Sequence, residues 1–120
     1  MNMPPKVVHK VVYIGSERNY FSNISYRYKT TYPGIDFEFV EIDTSAESRG
    51  EKLFLHLARL KPVIIYIDFC SYKNEMLRLA ELSSRDPLFH HVPLVGLIDT
   101  KEKAKGCLGA GIDFLYVKGG

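Results

Sequence analysis

The sequence predicts an α/β fold: a doubly wound, five-stranded parallel sheet with helices on both faces. Three observations lead there. Short apolar runs alternate with segments whose apolar residues recur at helical spacing, in the order β-α-β-α-β-α-β-α-β. The central run, Val63-Ile64-Ile65-Tyr66-Ile67, is continuously apolar and rich in β-branched residues, as suits a strand buried on both faces. Each predicted strand ends on a short polar or flexible element: Ser16-Glu17, Asp43, Asp68, Asp99-Thr100 and Lys118. In a parallel sheet these ends share one edge, where ligands and reactions are found in open α/β folds.

Residues 1–5, with Pro4-Pro5, read as a loose leader, and 6–120 as the domain. The first strand runs from Val7 to Gly15, centred on Val11 to Ile14, and stops at Gly15-Ser16. From Glu17 to about Thr31, Tyr20, Phe21, Ile24 and Tyr28 recur at helical spacing. Pro33-Gly34 breaks the chain. Phe37 to Ile42 partly alternates and reads as a second strand near an edge. Asp43-Thr44-Ser45 offers capping oxygens for a helix to about Leu60, with Leu53, Leu57 and Leu60 as its stripe. Pro62 starts the central strand, which ends at Asp68. A polar loop follows, and Asn74 is placed to cap a helix through about Ser84, with Leu77, Leu79 and Ala80 inward. Asp86-Pro87 ends it. Val92 to Ile98 is a fourth buried strand, Lys101 to Leu108 a short helix, and Gly109-Ala110-Gly111 a break before a fifth strand, Ile112 to Val117.

A length of 120 residues fits one domain, and 46% apolar with 25% charged residues describes a globular chain rather than a disordered one. A net charge of +2, with no basic block, gives no strong pull on nucleic acid or an anionic membrane. No apolar run is long enough to span a bilayer, and the first residues lack a signal peptide's apolar centre. Cys70 and Cys107 stand in unrelated contexts, so the expectation is a reduced, cytoplasmic protein. His90-His91 are adjacent and far along the strand from Asp68, a poor metal pair. Gly109-Ala110-Gly111 precedes a strand and is a turn, not a phosphate loop. Cys107 reads as core, and Cys70 as a small loop residue with nothing near it to lower its pKa. Tyr26 and Tyr32 are candidates for exposed interface tyrosines.

A charge is costly inside a buried strand, so Asp68 belongs where the strand meets solvent. A carboxylate and an ammonium at neighbouring strand ends can pair, or can jointly hold a phosphoryl group. Asp43 and Asp99 are expected to cap the helices that follow them.

Residues 6–118 resemble a response-regulator receiver domain, the bacterial phosphoacceptor module of two-component signalling. Pro62-Val63-Ile64-Ile65-Tyr66-Ile67-Asp68 resembles the strand ending in the phosphoacceptor aspartate. Ala110-Gly111-Ile112-Asp113-Phe114-Leu115-Tyr116-Val117-Lys118 resembles the stretch leading to the family's lysine, and Val92 to Ile98 its fourth strand. The resemblance implies a flavodoxin-like (CheY-like) sheet of order 2-1-3-4-5, with Asp68 phosphoacceptor-like and Lys118 the family lysine. It also implies that a fifth helix is absent from this chain, leaving the sheet partly bare beside the first and fifth strands. The expected setting is the N-terminal module of a longer signalling protein.

The departures decide the expected function. The two acidic residues that hold magnesium in the family are replaced by Gly15 and Ser16, leaving Glu17 as the nearest carboxylate. The serine or threonine that senses the phosphoryl group is replaced by Ile98, with Thr100 two positions on. The switching aromatic is replaced by Leu115, and the proline after the lysine by Gly119. Phosphoryl transfer to a carboxylate needs cations to neutralise the gathering charge. Glu17 and Asp68 alone offer magnesium a poor cage, so at most weak Mg2+ binding and no other cofactor are expected. The expectation is a non-enzymatic pseudo-receiver in which Asp68 and Lys118 form a fixed ion pair. It would act through a protein partner or a covalently linked output domain, with a homodimer possible. The resemblance points to a contact surface of Lys101, Lys105, Leu115 and Tyr116. Two alternatives stand beside it: a working receiver phosphorylated on Asp68 by a histidine kinase, with Mg2+ partly held by Glu17, and a flavodoxin-like small-ligand binder.

Overall fold

The computed structural model describes residues 7–43, 51–70, 73–101 and 104–118. Along the chain lie β1 (His9–Gly15), α1 (Arg18–Thr31), β2 (Phe37–Asp43), α2 (Glu51–Leu60), β3 (Ile64–Asp68), α3 (Lys73–Arg85), β4 (Leu94–Ile98), α4 (Ala104–Gly109) and β5 (Phe114–Val117). The strands form one parallel sheet in the order β2-β1-β3-β4-β5. This is the doubly wound architecture and strand order expected.

Alternation along β1 builds two cores. Val12 and Ile14 pack with Ile65 and Ile67 against Leu53 and Leu57 of α2, Met76, Leu79 and Ala80 of α3, and Cys107 of α4. Val11 and Tyr13 point the other way and pack with Val95, Leu97 and Ile24 of α1, joined by Tyr20, Phe21 and Tyr28. Three helices therefore cover one face, and α1 covers part of the other. α1 shields the centre of β1, where Val11 and Tyr13 are buried, while Phe114, Tyr116 and Val117 of β5 are exposed.

Several boundaries move for local reasons. Proline has no N–H to give to a ladder. Pro62 is accordingly buried just outside β3, and the first bond to β1 is from Val63 N–H to Lys10 O at 2.9 Å. β1 starts at His9 and β4 at Leu94, where pairing begins. Asn74 falls inside α3, and the buried stripe of that helix is Met76, Leu79, Ala80 and Ser83, with Leu77 only half-buried. Thr44 and Ser45 lie outside the described residues. Asp86-Pro87 does end α3, and it also starts a 3-10 turn, Pro87–Phe89: an oxygen of Asp86 accepts from Leu88 N–H at 2.9 Å, and Phe89 is turned into the core. The described part of α4 begins at Ala104. Gly111 follows it at φ 91, with the Ser84 side chain 2.5 Å from where a Cβ would stand. A left-handed backbone and that close approach both require glycine here.

The register brings the strand ends together. Ile14 faces Ile67, Asp68 faces Leu97 and Ile98 faces Val117, so Gly15, Asp68 and Lys118 emerge at one edge of the sheet.

Candidate functional site

Asp68 is 3% exposed, and both of its oxygens are held. Oδ1 accepts from the Cys70 N–H at 2.8 Å. Oδ2 accepts from Lys118 Nζ at 2.8 Å and from Tyr13 Oη at 3.3 Å. The Lys118 side chain is 9% exposed, and its ammonium also reaches Glu17 Oε1 at 2.7 Å. It therefore bridges the two carboxylates named from sequence. Its backbone is tied down as well, since Lys118 N–H donates to Ile98 O at 2.8 Å. The ammonium lies 5.7 Å from the centre of the Tyr20 ring, which meets Tyr116 edge-on. Asp68 and Lys118 thus form an ion pair.

Tyr13 is the residue that sequence reasoning missed. Its ring is fully buried, and its hydroxyl, besides donating to Asp68, accepts from the Glu17 N–H at 3.2 Å. Positions i and i+2 of a strand share a face, so Tyr13 and Gly15 lie on the same side of β1. A Cβ on Gly15 would stand 2.5 Å from Tyr13 Oη, 2.7 Å from Tyr13 Cζ and 2.9 Å from Asp68 Cβ. Gly15 is thus a space as much as a missing acid: the phenol fills the room that a side chain there would need. A tyrosine two residues before a glycine at a strand end was the available signal.

The pKa shifts express the same packing. Burial pushes the Tyr13 hydroxyl up, and the nearby Asp68 charge adds to it. Burial works against the Lys118 ammonium, but its hydrogen bonds to Asp68 and Glu17 outweigh that and raise its pKa. Burial pushes the Cys70 thiol up to about 11, helped by its hydrogen bond to Asp68. A thiol raised that far carries on the order of a hundredfold less thiolate at neutral pH than an ordinary cysteine. In a Cys107→Ser background, Cys70 should react with a disulfide reagent at pH 7.5 about tenfold more slowly than a free thiol, because the higher nucleophilicity of its thiolate offsets part of the loss in thiolate. Reaction at the free-thiol rate would mean that the loop opens away from Asp68.

A divalent cation of the magnesium type takes about six oxygens in near-octahedral array. Here one oxygen of Asp68 is engaged by a backbone N–H and the other by an ammonium and a phenol, while Glu17 holds the same ammonium. Gly15 brings no side chain and has no room for one. Among the described residues no group of three or more His, Cys, Asp or Glu is placed to hold a metal ion. This donor set does not fit a hexacoordinate cation.

The remaining named positions are placed as follows. Ser16 is exposed, and Ile98 is buried in the core formed with α2, α3 and α4. Leu115 is half-buried over Gly96, so of the four expected contact residues only Lys101, Lys105 and Tyr116 are exposed. Cys107 is buried, and Tyr26 and Tyr32 are exposed. His90 and His91 lie before β4, at the opposite edge of the sheet from Asp68.

An open, doubly wound five-stranded sheet with an aspartate and a lysine at the ends of β3 and β5 defines the flavodoxin-like class with a receiver-type strand order. Solved structures agree. The chain is similar to the signal receiver domain of a DNA-binding response regulator from Colwellia psychrerythraea, with TM-score 0.69 and 9% identity over 92% of this chain and 85% of that one. It is also similar to the receiver domain of a sensor histidine kinase from Pseudomonas aeruginosa that holds magnesium in its active-site cleft, with TM-score 0.69 and 11% identity over 93% and 86%. A third is a chemotaxis response regulator of Vibrio cholerae, with TM-score 0.68 and 13% identity over 93% and 88%. No protein-family model matches the sequence, and no curated protein matches it. The fold is that of response-regulator receiver domains. Among the described residues no helix is long and apolar enough to cross a membrane.

Proposed function

We propose that this chain is a pseudo-receiver: a signalling module that keeps the receiver fold, does not take up phosphate efficiently, and acts by binding a protein partner or a linked output domain. One observation carries the reading. The Lys118 ammonium lies between Asp68 and Glu17, at 2.8 and 2.7 Å, while the Tyr13 phenol fills the space beside Gly15. A phosphoryl group arriving at Asp68 would bring negative oxygens to a site with one cation, already shared between two carboxylates. Its arrival would also have no ready route outward. Ile98 has no hydroxyl to follow a phosphoryl oxygen, and Leu115 is wedged over Gly96.

In this reading no metal is resident, and the module displays one fixed surface. That surface is the flank formed by α4 and β5, where Lys101, Lys105 and Tyr116 are exposed. The test is chemical. Incubation with millimolar magnesium and acetyl phosphate should leave the intact mass unchanged, and beryllofluoride should leave the backbone amide spectrum near residues 16, 68 and 118 unshifted. A mass gain of one phosphoryl group, abolished by Asp68→Asn, would establish instead a working receiver charged by a histidine kinase.

A further inference from the structure

Glu17 stands immediately before α1, where a side-chain oxygen ordinarily turns back to cap the first free N–H groups of a helix. It does not do so here: its backbone is extended, at φ -102 and ψ 93, and its side chain makes no cap bond. The carboxylate turns across the strand ends instead, to Lys118 Nζ at 2.7 Å. The backbone is fixed in that position, because Glu17 N–H donates to Tyr13 Oη at 3.2 Å. The neighbouring Arg18 reaches towards Glu41, at 3.9 Å, and leaves Glu17 to Lys118. Lys118 thus holds two anions of unequal standing. Asp68 is buried and is also held by Cys70 and Tyr13. The Glu17 side chain is 54% exposed, and among the described residues Lys118 is the ion-pair partner of its carboxylate. Glu17 lines a cavity of about 540 Å³ beside the site, with Asn19, Tyr20, Cys70 and Asp99 among its other walls. Among the described residues that line it, Lys118 is the one cation.

We propose that Glu17 is a built-in anion: its carboxylate occupies the place where a free oxyanion, a phosphate or a small carboxylate, would meet Lys118, and this autoinhibitory contact closes the cleft to such ligands. The proposal rests on the reading of the chain as a module that does not take up phosphate efficiently, and it names the side chain that keeps the anion out. One positive charge shared between two carboxylates leaves the cleft net negative, so a third anion is repelled. Removing Glu17 returns one charge-assisted bond of Lys118 to a ligand. α1 opens onto the same cavity, and the partial positive charge of its N-terminus favours an anion there. Asp99, exposed on the cavity wall, works against the anion and holds the expected affinity in the millimolar range. The other role open to Glu17 is that of a metal holder. A metal holder would promote anion binding, so the two roles give opposite results when Glu17 is removed.

The experiment compares the full chain with Glu17→Ala, which vacates the place, and with Glu17→Gln, which keeps the bulk and removes the charge. Each is titrated with inorganic phosphate and with formate, against chloride at the same ionic strength. Backbone amide shifts and the signal of the Lys118 ammonium are followed. In the parent chain the amides of Cys70 and Lys118 should stay in place. In Glu17→Ala both anions should shift them saturably at millimolar concentration, with an affinity roughly tenfold above that of the parent chain. Both should also raise the melting temperature of that variant more than chloride does. Glu17→Gln should fall between the two. Four results would overturn the proposal: no anion-dependent shift in either variant, equal binding by all three chains, shifts that chloride reproduces, or shifts that leave the Lys118 ammonium signal in place. The broader reading is tested separately. If the variants bind no anion while the mass of the parent chain stays unchanged under acetyl phosphate, only the contact assigned to Glu17 is lost.

Discussion

Lys118→Met should lower the unfolding free energy by about 3–5 kcal/mol in urea at pH 7, the range for removing one partner of a buried ion pair. The reason is what it leaves behind. Asp68 is 3% exposed, and Cys70 N–H, the Cys70 thiol and Tyr13 Oη would be its remaining donors, none of them cationic. Asp68→Asn should cost less, because Lys118 keeps Glu17, which is half in solvent. The double variant should be more stable than the two losses summed, since the pair no longer contains a buried unpaired charge. Additive losses, or a Lys118→Met loss below about 1 kcal/mol, would show that the carboxylate is solvated in spite of its burial.

The same ion pair sets the alkaline limit of stability. Lys118, Tyr13 and Cys70 all hold their protons more tightly in the folded state than in the unfolded chain. A group whose folded pKa is raised contributes stability that is complete below its unfolded pKa and is lost as pH rises through the folded one. For Cys70 that window runs from an ordinary value of 9.0 to about 11. Lys118 and Tyr13 add to the loss from about pH 10 upward. The melting temperature should therefore be insensitive to these three groups near neutrality and fall above pH 9. Cys70→Ser should delay the start of the fall, and Lys118→Met should make its later part shallower.

Much of the fold was legible because it rests on repetition. The unbroken run Val63 to Ile67 marked β3, and strand ends at Asp68 and Lys118 followed from where apolar residues stop. The site was legible in its charges: Asp68, Glu17 and Lys118 are the three groups that the structure joins. What sequence concealed was shape. Tyr13 reads as one more apolar strand residue, and only the packing shows its hydroxyl directed at Asp68 and its ring over Gly15. Leu115 reads as a surface position beside two aromatics, and only the pleat shows it turned over Gly96. The inward stripe of α3 shifts to Met76, because helix phase depends on where the helix begins, which a capping asparagine suggests without determining.

Gly15→Ala separates the two explanations for a missing acid at the sheet edge. If the position had merely lost its carboxylate, a methyl group would be tolerated. Instead the new Cβ would meet Tyr13 Oη at 2.5 Å and Asp68 Cβ at 2.9 Å, where neither can retreat easily. Overpacking of this kind costs about 1–3 kcal/mol, and the fully buried ring places the expected loss at the upper end. Leucine ends short of Cζ and Oη, so Tyr13→Leu should remove most of the clash while imposing its own cavity cost. In that background Gly15→Ala should cost at least about 1 kcal/mol less than it does alone, a coupling measurable by a double-mutant cycle. Gly15→Asp carries the argument to function. Alone it should be poorly tolerated and leave the amide spectrum indifferent to magnesium. Combined with Tyr13→Leu, it places a second carboxylate beside Asp68 and should give shifts near residues 16 and 68 at millimolar metal. If Gly15→Asp alone folds as well as the parent chain and binds magnesium as tightly as the double variant, Tyr13 is no obstacle, and the lost acid alone explains the site.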